Sequence, residues 1–391
     1  MEITPFYHMS TTAKRNFFTA LRGKQSFTGS LPNMILLNGQ PLRFPLGTVA
    51  TTGASPAGSQ TVSGAHSKGS RKLTLNAIGS HAAQEYIQVD SGTAAEVRQI
   101  SAVNGAVLTL DYPLMQAHSG GVNVKTVGAP YIHTITEAVD LDTVTWNVQS
   151  LDSGETTANT ILTRYVGGKI GSASISAQEG GMLTMSWDGV QFLDMLHNQS
   201  SSSAVSGNVS KYSASLLTPT VTLPTTEPYY FSQGAITLFG VEFARIRNFT
   251  ININNNVTPL YFIRDQATGR IPHEMREGQR EYTMSATIVP NDSYAATSPT
   301  RSMFKELLTE GNYGSGMAGF DITLTFTRGT NDTIVFTIPN TTTAATGGNA
   351  QGAYIRSAQH AITTEPLTQA DVDILFRSLK VVITDSVGTY A

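Results

Sequence analysis

Two stretches of the chain decide how the fold is interpreted: Lys169-Ile170-Gly171-Ser172-Ala173-Ser174-Ile175-Ser176-Ala177 and Arg245-Ile246-Arg247-Asn248-Phe249-Thr250-Ile251-Asn252-Ile253. Apolar and polar residues alternate in both, which is the period of a β-strand with one buried and one solvated face. The polar faces are Ser172, Ser174 and Ser176 in the first strand and Asn248, Thr250 and Asn252 in the second. Such a face of uncharged hydroxyls and amides is solvated, but it lacks the charges that hold a ligand tightly.

The same order of features follows each stretch. Glu179-Gly180 leads to Thr184-Met185-Ser186, and Glu277-Gly278 leads to Thr283-Met284-Ser285. We interpret this as two copies of one antiparallel strand pair, which predicts a duplicated fold. The alternative is that any two amphipathic strands look alike and the match is a coincidence.

The remaining periodicity is also mainly that of strands. Short segments rich in Val, Ile, Thr and aromatic residues are bounded by Gly, Asn, Asp or Pro. The predicted strands are Arg71–Ala77, Glu85–Asp90, Val107–Tyr112, Thr143–Val148, Ile170–Ala177, Met182–Trp187, Phe249–Asn254, Tyr282–Val289, Phe320–Phe326, Thr333–Ile338 and Leu379–Thr384. Caps and apolar spacing predict helices over Thr11–Arg22, Ser298–Leu308 and Thr368–Ser378. The fold class is therefore mainly β, with a few flanking helices.

Composition narrows the function. Of the 391 residues 40% are hydrophobic and 14% are charged, with a formal net charge of −3. The chain can build a large core, but it lacks the basic surplus of a tight nucleic-acid binder. A soluble chain so poor in charge, against about 25% in ordinary domains, suggests a surface that contacts other subunits. The chain has no Cys, which excludes disulfides and thiolate metal sites.

The chain divides into four parts by composition. Residues 1–46 are an N-terminal arm and helix with the first strand of the main domain. Residues 47–128 hold five short strand signals and form a small inserted β domain, with a hairpin turn at Asn104-Gly105. Residues 129–230 and 231–391 are the two halves of the duplicated fold, the second ending in a helix and a strand.

No catalytic residue, cofactor site or metal site is indicated. His273-Glu274 lacks the second histidine of a zinc-protease helix, because position 277 is Glu277. Asp140, Asp142 and Asp152 could chelate Ca²⁺, but alternating Asp-Leu-Asp is more typical of a solvated strand end. Nothing in the sequence supports an enzyme.

One stretch resembles a known family. The run is Arg164-Tyr165-Val166-Gly167-Gly168-Lys169-Ile170-Gly171-Ser172-Ala173-Ser174-Ile175-Ser176-Ala177-Gln178-Glu179-Gly180-Gly181. With Phe249-Thr250-Ile251-Asn252-Ile253-Asn254-Asn255-Asn256 and the later Gly278-Gln279-Arg280-Glu281-Tyr282, it resembles the tail tube (major tail) proteins of long-tailed bacteriophages.

The resemblance implies a structural virion protein of the phage tail, made in the host bacterial cytoplasm. Each subunit would contribute a β-sandwich flanked by a helix to stacked rings, and the sheets of neighbours would join into an inner barrel through which double-stranded DNA passes. A chain with two copies of the fold would close a ring as a homotrimer, and a chain with one copy would need a hexamer. The partners implied are the chain itself, a tape-measure protein and transiting DNA without specific binding, and no membrane.

The resemblance also assigns roles to residues. Ser172, Ser174, Ser176, Asn248, Thr250 and Asn252 are expected to face the lumen or to form the polar face of the sheet. The loop with Asp152, Ser153, Gly154, Glu155 and Thr156 is expected to reach the adjacent ring. Two alternatives stay open: a receptor- or carbohydrate-binding tail fibre or spike, and a neighbouring terminator or distal tail ring protein of the same fold.

Overall fold

The fold was obtained as a computed structural model. It describes residues 2–9, 17–53, 57–83, 85–127, 131–150, 161–198, 211–212, 228–238, 241–242, 246–263, 270–289, 320–329, 332–341, 350–361, 369–385, 387–388 and 390.

The chain is built from strands with short connecting turns. The strands are β1 (Glu2–Met9), β2 (Phe17–Ile35), β3 (Gly47–Thr52), β4 (Ala57–Thr61), β5 (Lys72–Thr74), β6 (Tyr86–Val89), β7 (Glu96–Asn104), β8 (Val107–Leu110), β9 (Asn123–Val127), β10 (Tyr131–Glu137), β11 (Val144–Ser150), β12 (Ile161–Gly168), β13 (Ser172–Gln178), β14 (Thr184–Phe192), β15 (Asp194–His197), β16 (Lys211–Tyr212), β17 (Gly234–Leu238), β18 (Val241–Glu242), β19 (Ile246–Asn254), β20 (Thr258–Leu260), β21 (Glu274–Arg276), β22 (Glu281–Ile288), β23 (Ile322–Gly329), β24 (Asp332–Ile338), β25 (Asn340–Thr341), β26 (Ala350–Gln351), β27 (Ala353–Ala361), β28 (Gln369–Phe376) and β29 (Lys380–Asp385). The helical elements are the one-turn α1 (Arg43–Leu46) and 3-10 turns at Gln40–Leu42, Gly92–Ala94 and Phe231–Gln233.

Two large sheets form the main body. Sheet A has eight strands in the order β1-β2-β14-β13-β19-β22-β28-β27, and sheet B has seven in the order β18-β17-β23-β24-β29-β10-β3. The buried side chains of both sheets belong to one hydrophobic core, in which the Phe249 and Phe326 rings lie 5.9 Å apart. The fold is therefore a mainly β sandwich, which confirms the fold class predicted from the alternating pattern.

Alternation in sequence becomes the two faces of sheet A. In β13 the residues Ala173, Ile175 and Ala177 are buried, and the serines between them are half-buried on the opposite side. In β19 the buried residues are Phe249, Ile251 and Ile253. The apolar face of sheet A packs on sheet B.

A third sheet is attached at one end of sheet A. Sheet C has four strands in the order β11-β12-β15-β16. Its base is held by aromatic packing, with the Trp146 and Phe192 rings 4.9 Å apart and the Tyr165 and Phe192 rings 5.3 Å apart. A Cβ on Gly29 of β2 would lie 2.5 Å from the Trp146 ring, so the close approach of Trp146 requires glycine there.

Sheet D lies within residues 57–127 and has its own core. It has six strands in the order β4-β9-β6-β7-β8-β5, and residues such as Leu73, Ile87, Ile100 and Leu108 form a hydrophobic cluster separate from the sandwich. Residues 47–52, which the sequence-based division placed with this domain, form β3 and pair with β10 in sheet B. The small domain thus leaves the sandwich after β3 and returns at β10.

Each predicted strand overlaps an observed strand, but two predicted helices are wrong. The chain from Phe17 through Arg22 belongs to the long strand β2, and Thr368–Ser378 contains β28. In β28 the residues Ala370, Val372, Ile374 and Phe376 are buried and alternate with exposed or half-buried neighbours. That two-residue period was in the sequence, yet helical spacing and a capping pattern competed with it, and pairing with β22 and β27 decides the outcome. Ser298–Leu308 lies outside the described residues.

The two matched strand pairs are direct neighbours in sheet A rather than stacked sheets. Strand β13 pairs antiparallel with β19, with Ser174 opposite Asn252 and Ile175 opposite Ile251. Two antiparallel strands cannot be related by a rotation that keeps strand direction, so the pairs at 169–187 and 245–287 do not correspond in that way. The strand order of sheet A gives a different correspondence.

Candidate functional surface on sheet A

The polar face of sheet A is a continuous band of small uncharged side chains. One row across four strands contains Ser186, Ser174, Asn252 and Thr283, which are successive cross-strand partners. The next row contains Thr184, Ser176, Thr250 and Ser285. All six residues predicted to form this polar face therefore lie together on the sheet, on the side opposite the core.

The side chains of this face bond to each other and to nearby backbone groups. Ser176 and Thr184 share a hydroxyl–hydroxyl bond of 3.1 Å, and the Asn252 amide donates to the Thr283 hydroxyl at 3.4 Å. Ser172 donates to the backbone carbonyl of Asp188 at 3.1 Å. Lateral bonds of this kind hold short side chains close to the sheet. The result is a low, even polar surface.

Charge on this face lies toward its margins. Asp188 and Glu281 end the rows on β14 and β22, opposite Ser172 and Asn254. Asp371 accepts a 2.7 Å bond from the Thr287 hydroxyl, and Asp373 pairs with Arg356. Between Asn248 and Asn254, no Lys or Arg of the described strands β13, β14, β19 and β22 lies on this face. The centre of the surface is neutral.

The two ends of sheet A differ in their connections. We call the end with Ser172, Asp188, Asn254 and Glu281 the hairpin end, because β11–β12 enters there before β13 and β20–β21 connects β19 to β22. We call the opposite end the turn end. There Glu179, Gly180 and Gly181 connect β13 to β14 in a tight turn, with Gly180 at φ +74°.

A buried asparagine organises the hairpin end. Asn255 is almost fully buried, and its amide donates to the Pro45 and Ile170 carbonyls at 3.1 Å each. Its side-chain oxygen accepts a 2.7 Å bond from the Arg280 guanidinium, which also donates to the Ala138 carbonyl at 3.2 Å. Asn255 and Arg280 therefore join their own two segments to three others, at Pro45, Ala138 and Ile170.

Glycine is required beside this network. A Cβ on Gly278 would lie 2.9 Å from the Asn256 side chain and 3.1 Å from its carbonyl oxygen. Asn256 itself has a left-handed backbone, with φ +48°. Its side-chain amide donates a 2.6 Å hydrogen bond to the Gln279 carbonyl. The Asn-Asn and Gly-x-Arg-Glu-Tyr stretches are thus parts of one polar junction.

An ion pair links the two motif regions. The Lys169 ammonium lies 2.5 Å from the Glu277 carboxylate, which also accepts a 3.0 Å bond from the Leu141 amide. Burial disfavours the charged carboxylate, but the bonds from Lys169 and Leu141 outweigh it and lower the pKa of Glu277. Lys169 therefore serves a structural pairing at the hairpin end.

The sequence found some of these residues and missed others. Alternation in the sequence singled out Ser172, Ser174, Ser176, Asn248, Thr250 and Asn252, and the structure places them on the polar side of sheet A; that this side faces a lumen stays a prediction. The loop residues Asp152, Ser153, Gly154, Glu155 and Thr156 lie outside the described part of the chain. Asn255 and Arg280 were visible only as motif letters, because their bonding depends on Pro45, Ala138 and Ile170, which are distant in sequence.

The described residues contain no group of three or more His, Asp or Glu that could hold a metal ion. Asp142, considered above as a Ca²⁺ ligand, pairs with Arg43 at 2.6 Å. Among the described residues no helix is long and apolar enough to cross a membrane. The part of the chain that the structure describes is thus a mainly β protein with a two-sheet body and a polar face that is neutral at its centre.

Comparison with known proteins identifies the class further. The family described as phage tail tube protein matches residues 14–373 of the chain. The chain belongs to the phage tail tube protein family, and it is a structural component of a bacteriophage virion tail. A search of curated proteins found no match.

Proposed function

We propose that this chain assembles as a homotrimeric ring and that stacked rings form the tube through which the phage genome reaches the host. The chain would be made in the host bacterial cytoplasm and would have no enzymatic role and no cofactor. The observation that carries the proposal is the strand order of sheet A, with the uncharged polar face that this order makes continuous.

The strand order contains a repeat of topology. The first four strands of sheet A along the chain are β1, β2, β13 and β14, and they occupy the sheet as first, second, fourth, third. The last four are β19, β22, β27 and β28, and they occupy it in the same order. Corresponding strands run in the same direction, as a rotation about a tube axis requires. This repeat supports two tube modules in one chain.

The junction inside the chain supplies a pattern for the junction between chains. The two four-strand modules meet where β13 pairs antiparallel with β19. The corresponding strands at the outer edges of sheet A are β27 and β1. A β27 from one chain beside the β1 of the next would also be antiparallel, so the alternation would continue around the ring. Closure would cover edges that otherwise invite aggregation.

Barrel width favours three chains over six. Three eight-stranded sheets give 24 strands, which at about 4.8 Å spacing and a tilt of up to about 40° make a barrel roughly 37–48 Å wide. Subtracting inward side chains leaves room for a DNA duplex, which is about 20 Å across. Six such chains would give twice that width, far more than a duplex needs.

The proposed lumen wall is the polar face of sheet A, including Ser172, Ser174, Ser176, Asn248, Thr250 and Asn252. A neutral centre without Lys or Arg offers few sites to a polyanion, so DNA would slide without specific binding. A tape-measure protein would occupy the same space before DNA. The small domain with sheet D would lie outside, because an inward domain would obstruct the passage.

Electron microscopy of the purified full chain tests this function. We expect rings, or stacked tubes, whose class averages have three-fold symmetry and an open centre. Rings of six chains would overturn the trimer while leaving a tube protein. Isolated solid fibres would overturn the tube and favour an adhesion fibre or spike.

A further inference from the structure

Sheet A carries exposed apolar side chains at both ends. At the turn end Ile35 is 45% exposed, and Met182 and Tyr230 are each 39% exposed. Ile35 is the cross-strand partner of Thr184, and Met182 forms a bridge with Tyr230, so the three lie side by side. Because Thr184 belongs to the polar face, this turn-end patch lies on the proposed lumen side. Ile35, Met182 and Tyr230 are called the turn-end patch below.

At the hairpin end two adjacent apolar residues, Phe262 and Ile263, lie just after β20. Phe262 is 47% exposed and Ile263 is fully exposed. Both follow a segment that is firmly held. The Tyr261 hydroxyl donates to the Gln25 carbonyl at 2.9 Å, and the Gln25 amide donates to the Arg270 carbonyl at 2.8 Å. The Lys24 ammonium lies 4.4 Å from the centre of the Tyr261 ring.

Two apolar residues held in this way at the rim of a charge-poor protein call for a partner surface. Isolated exposed apolar residues are ordinary, but here one group sits at each end of the same strands. In a barrel with tilted strands, the two ends of a strand belong to opposite rims of the ring. A contact between unlike ends does not close on itself and continues as a filament.

We propose that Phe262 and Ile263 of one chain pack against the turn-end patch of a chain in the next ring. The partner is therefore a second copy of this chain, related by stacking along the tube. The inference rests on the proposed function, and it names the residues that make rings add in one direction. In a trimeric ring the contact would occur three times between two stacked rings, and the three contacts would add to the affinity between the rings. Removing one apolar side chain from the chain would therefore weaken all three contacts.

Cysteine cross-linking tests the contact directly. The chain has no Cys, so the double variant Ile263→Cys with Met182→Cys carries only the two introduced thiols. Assembled protein treated with a short bismaleimide should give a ladder of covalent multimers on a denaturing gel. The matched control is Ile263→Cys with Ile132→Cys, because Ile132 lies on the outer side of sheet B beside buried His133. The control should give no ladder.

Charge insertion gives an independent readout. Ile263→Asp and Met182→Asp should each leave rings intact and shorten tubes at least tenfold in electron micrographs, while Ile132→Asp should leave tube length unchanged. If wild-type tubes form but the cysteine pair gives no ladder and both Asp variants elongate normally, the stacking contact is wrong and the tube function stands. If the wild-type chain forms neither rings nor tubes, the proposed function itself fails.

Discussion

Sheet A has one face buried in the core and one face in contact with solvent, and neighbouring residues of a strand lie on opposite faces. Ile251 is completely buried in β19, between half-buried Thr250 and exposed Asn252. Its strand neighbours across the sheet are Ile175 and Met284, which belong to the same core. Adjacent positions of one strand therefore differ sharply in what they tolerate.

We expect Ile251→Asp to abolish folding, because it removes a buried apolar side chain and places a carboxylate without a partner in the core. Such a change costs more than about 4 kcal/mol, a large part of a typical domain's stability. Thr250→Asp should change stability by less than about 1 kcal/mol because its side chain meets solvent. Urea unfolding of both variants, followed by circular dichroism, measures the difference. Equal destabilisation at the two positions would contradict the assignment of faces.

A buried histidine ties sheet D together. The His118 ring lies 3.1 Å from the Asp90 carboxylate and 2.5 Å from that of Glu96, which also pairs with Arg98 at 2.6 Å. Burial alone would lower the pKa of His118, but hydrogen bonds and charge from Glu96 and Asp90 outweigh it and raise the pKa above 6.5.

This arrangement predicts a pH dependence confined to sheet D. The raised pKa means that His118 stabilises the fold fully below pH 6.5 and loses that contribution as pH rises through its folded pKa. Hydrogen exchange of amides in β7 should therefore show a lower free energy of opening at pH 8 than at pH 6. His118→Gln should flatten this dependence, and His273→Gln, in the hairpin β20–β21, should not. An unchanged slope in the His118 variant would refute the role.

At the hairpin end of sheet A, strands β11 and β12 form a hairpin that precedes β13. Strands β11 and β12 pair from Val144 with Gly168 to Ser150 with Ile161. Their base packs on Phe192 through Trp146 and Tyr165, while Val148 and Ile161 toward the other end are exposed. The connection between these strands contains Asp152, Ser153, Gly154, Glu155 and Thr156, which we propose reaches the adjacent ring.

Deletion of residues 153–159 should separate ring formation from tube growth. Because Trp146 and Tyr165 anchor the hairpin at its base, we expect the shortened chain to fold and to form rings. We expect those rings not to elongate, as measured by sedimentation and by tube length in negative stain. Normal long tubes from the deletion variant would show that this loop is not a stacking element.

At the scale of the whole molecule, the small domain is built as an addition to the sandwich. Sheet D has its own core, and its chain leaves after β3 and returns at β10. Thr52 and Ile132 are cross-strand partners, so the two points of attachment are adjacent. A small polar cavity of about 60 Å³, lined in part by Arg98, Arg328 and Asp385, lies where the domain meets the sandwich.

Replacement of residues 54–130 by a two-residue Asn-Gly turn should leave a folded chain that still forms tubes. The turn joins β3 and β10 as a hairpin, which keeps the edge of sheet B paired. A matched deletion that also removes residues 48–53 should be less stable, because it strips β3 from β10. Tube formation by electron microscopy and thermal unfolding give the readout. Failure of the first variant to assemble would place the small domain within the tube wall.

The sequence by itself determined the mainly β class, the strands with clear alternation and the composition of the polar face. These features depend on local alternation. Ser172, Ser174 and Ser176 lie on one side of their strand, and so do Asn248, Thr250 and Asn252, whichever strands are their neighbours. The motifs in the sequence also contain Asn255, Gly278 and Arg280, but the sequence does not show which residues these three contact.

Only the tertiary structure decided which strands are neighbours. It also decided that segments compatible with either a helix or a strand form strands. Thr368–Ser378 satisfies helical spacing and strand alternation equally well, and its pairing with β22 and β27 selects the strand. The antiparallel contact of β13 with β19 likewise changed which strands correspond between the two modules. Both outcomes depend on backbone hydrogen bonds between residues far apart in the chain, and local sequence carries no record of such partners.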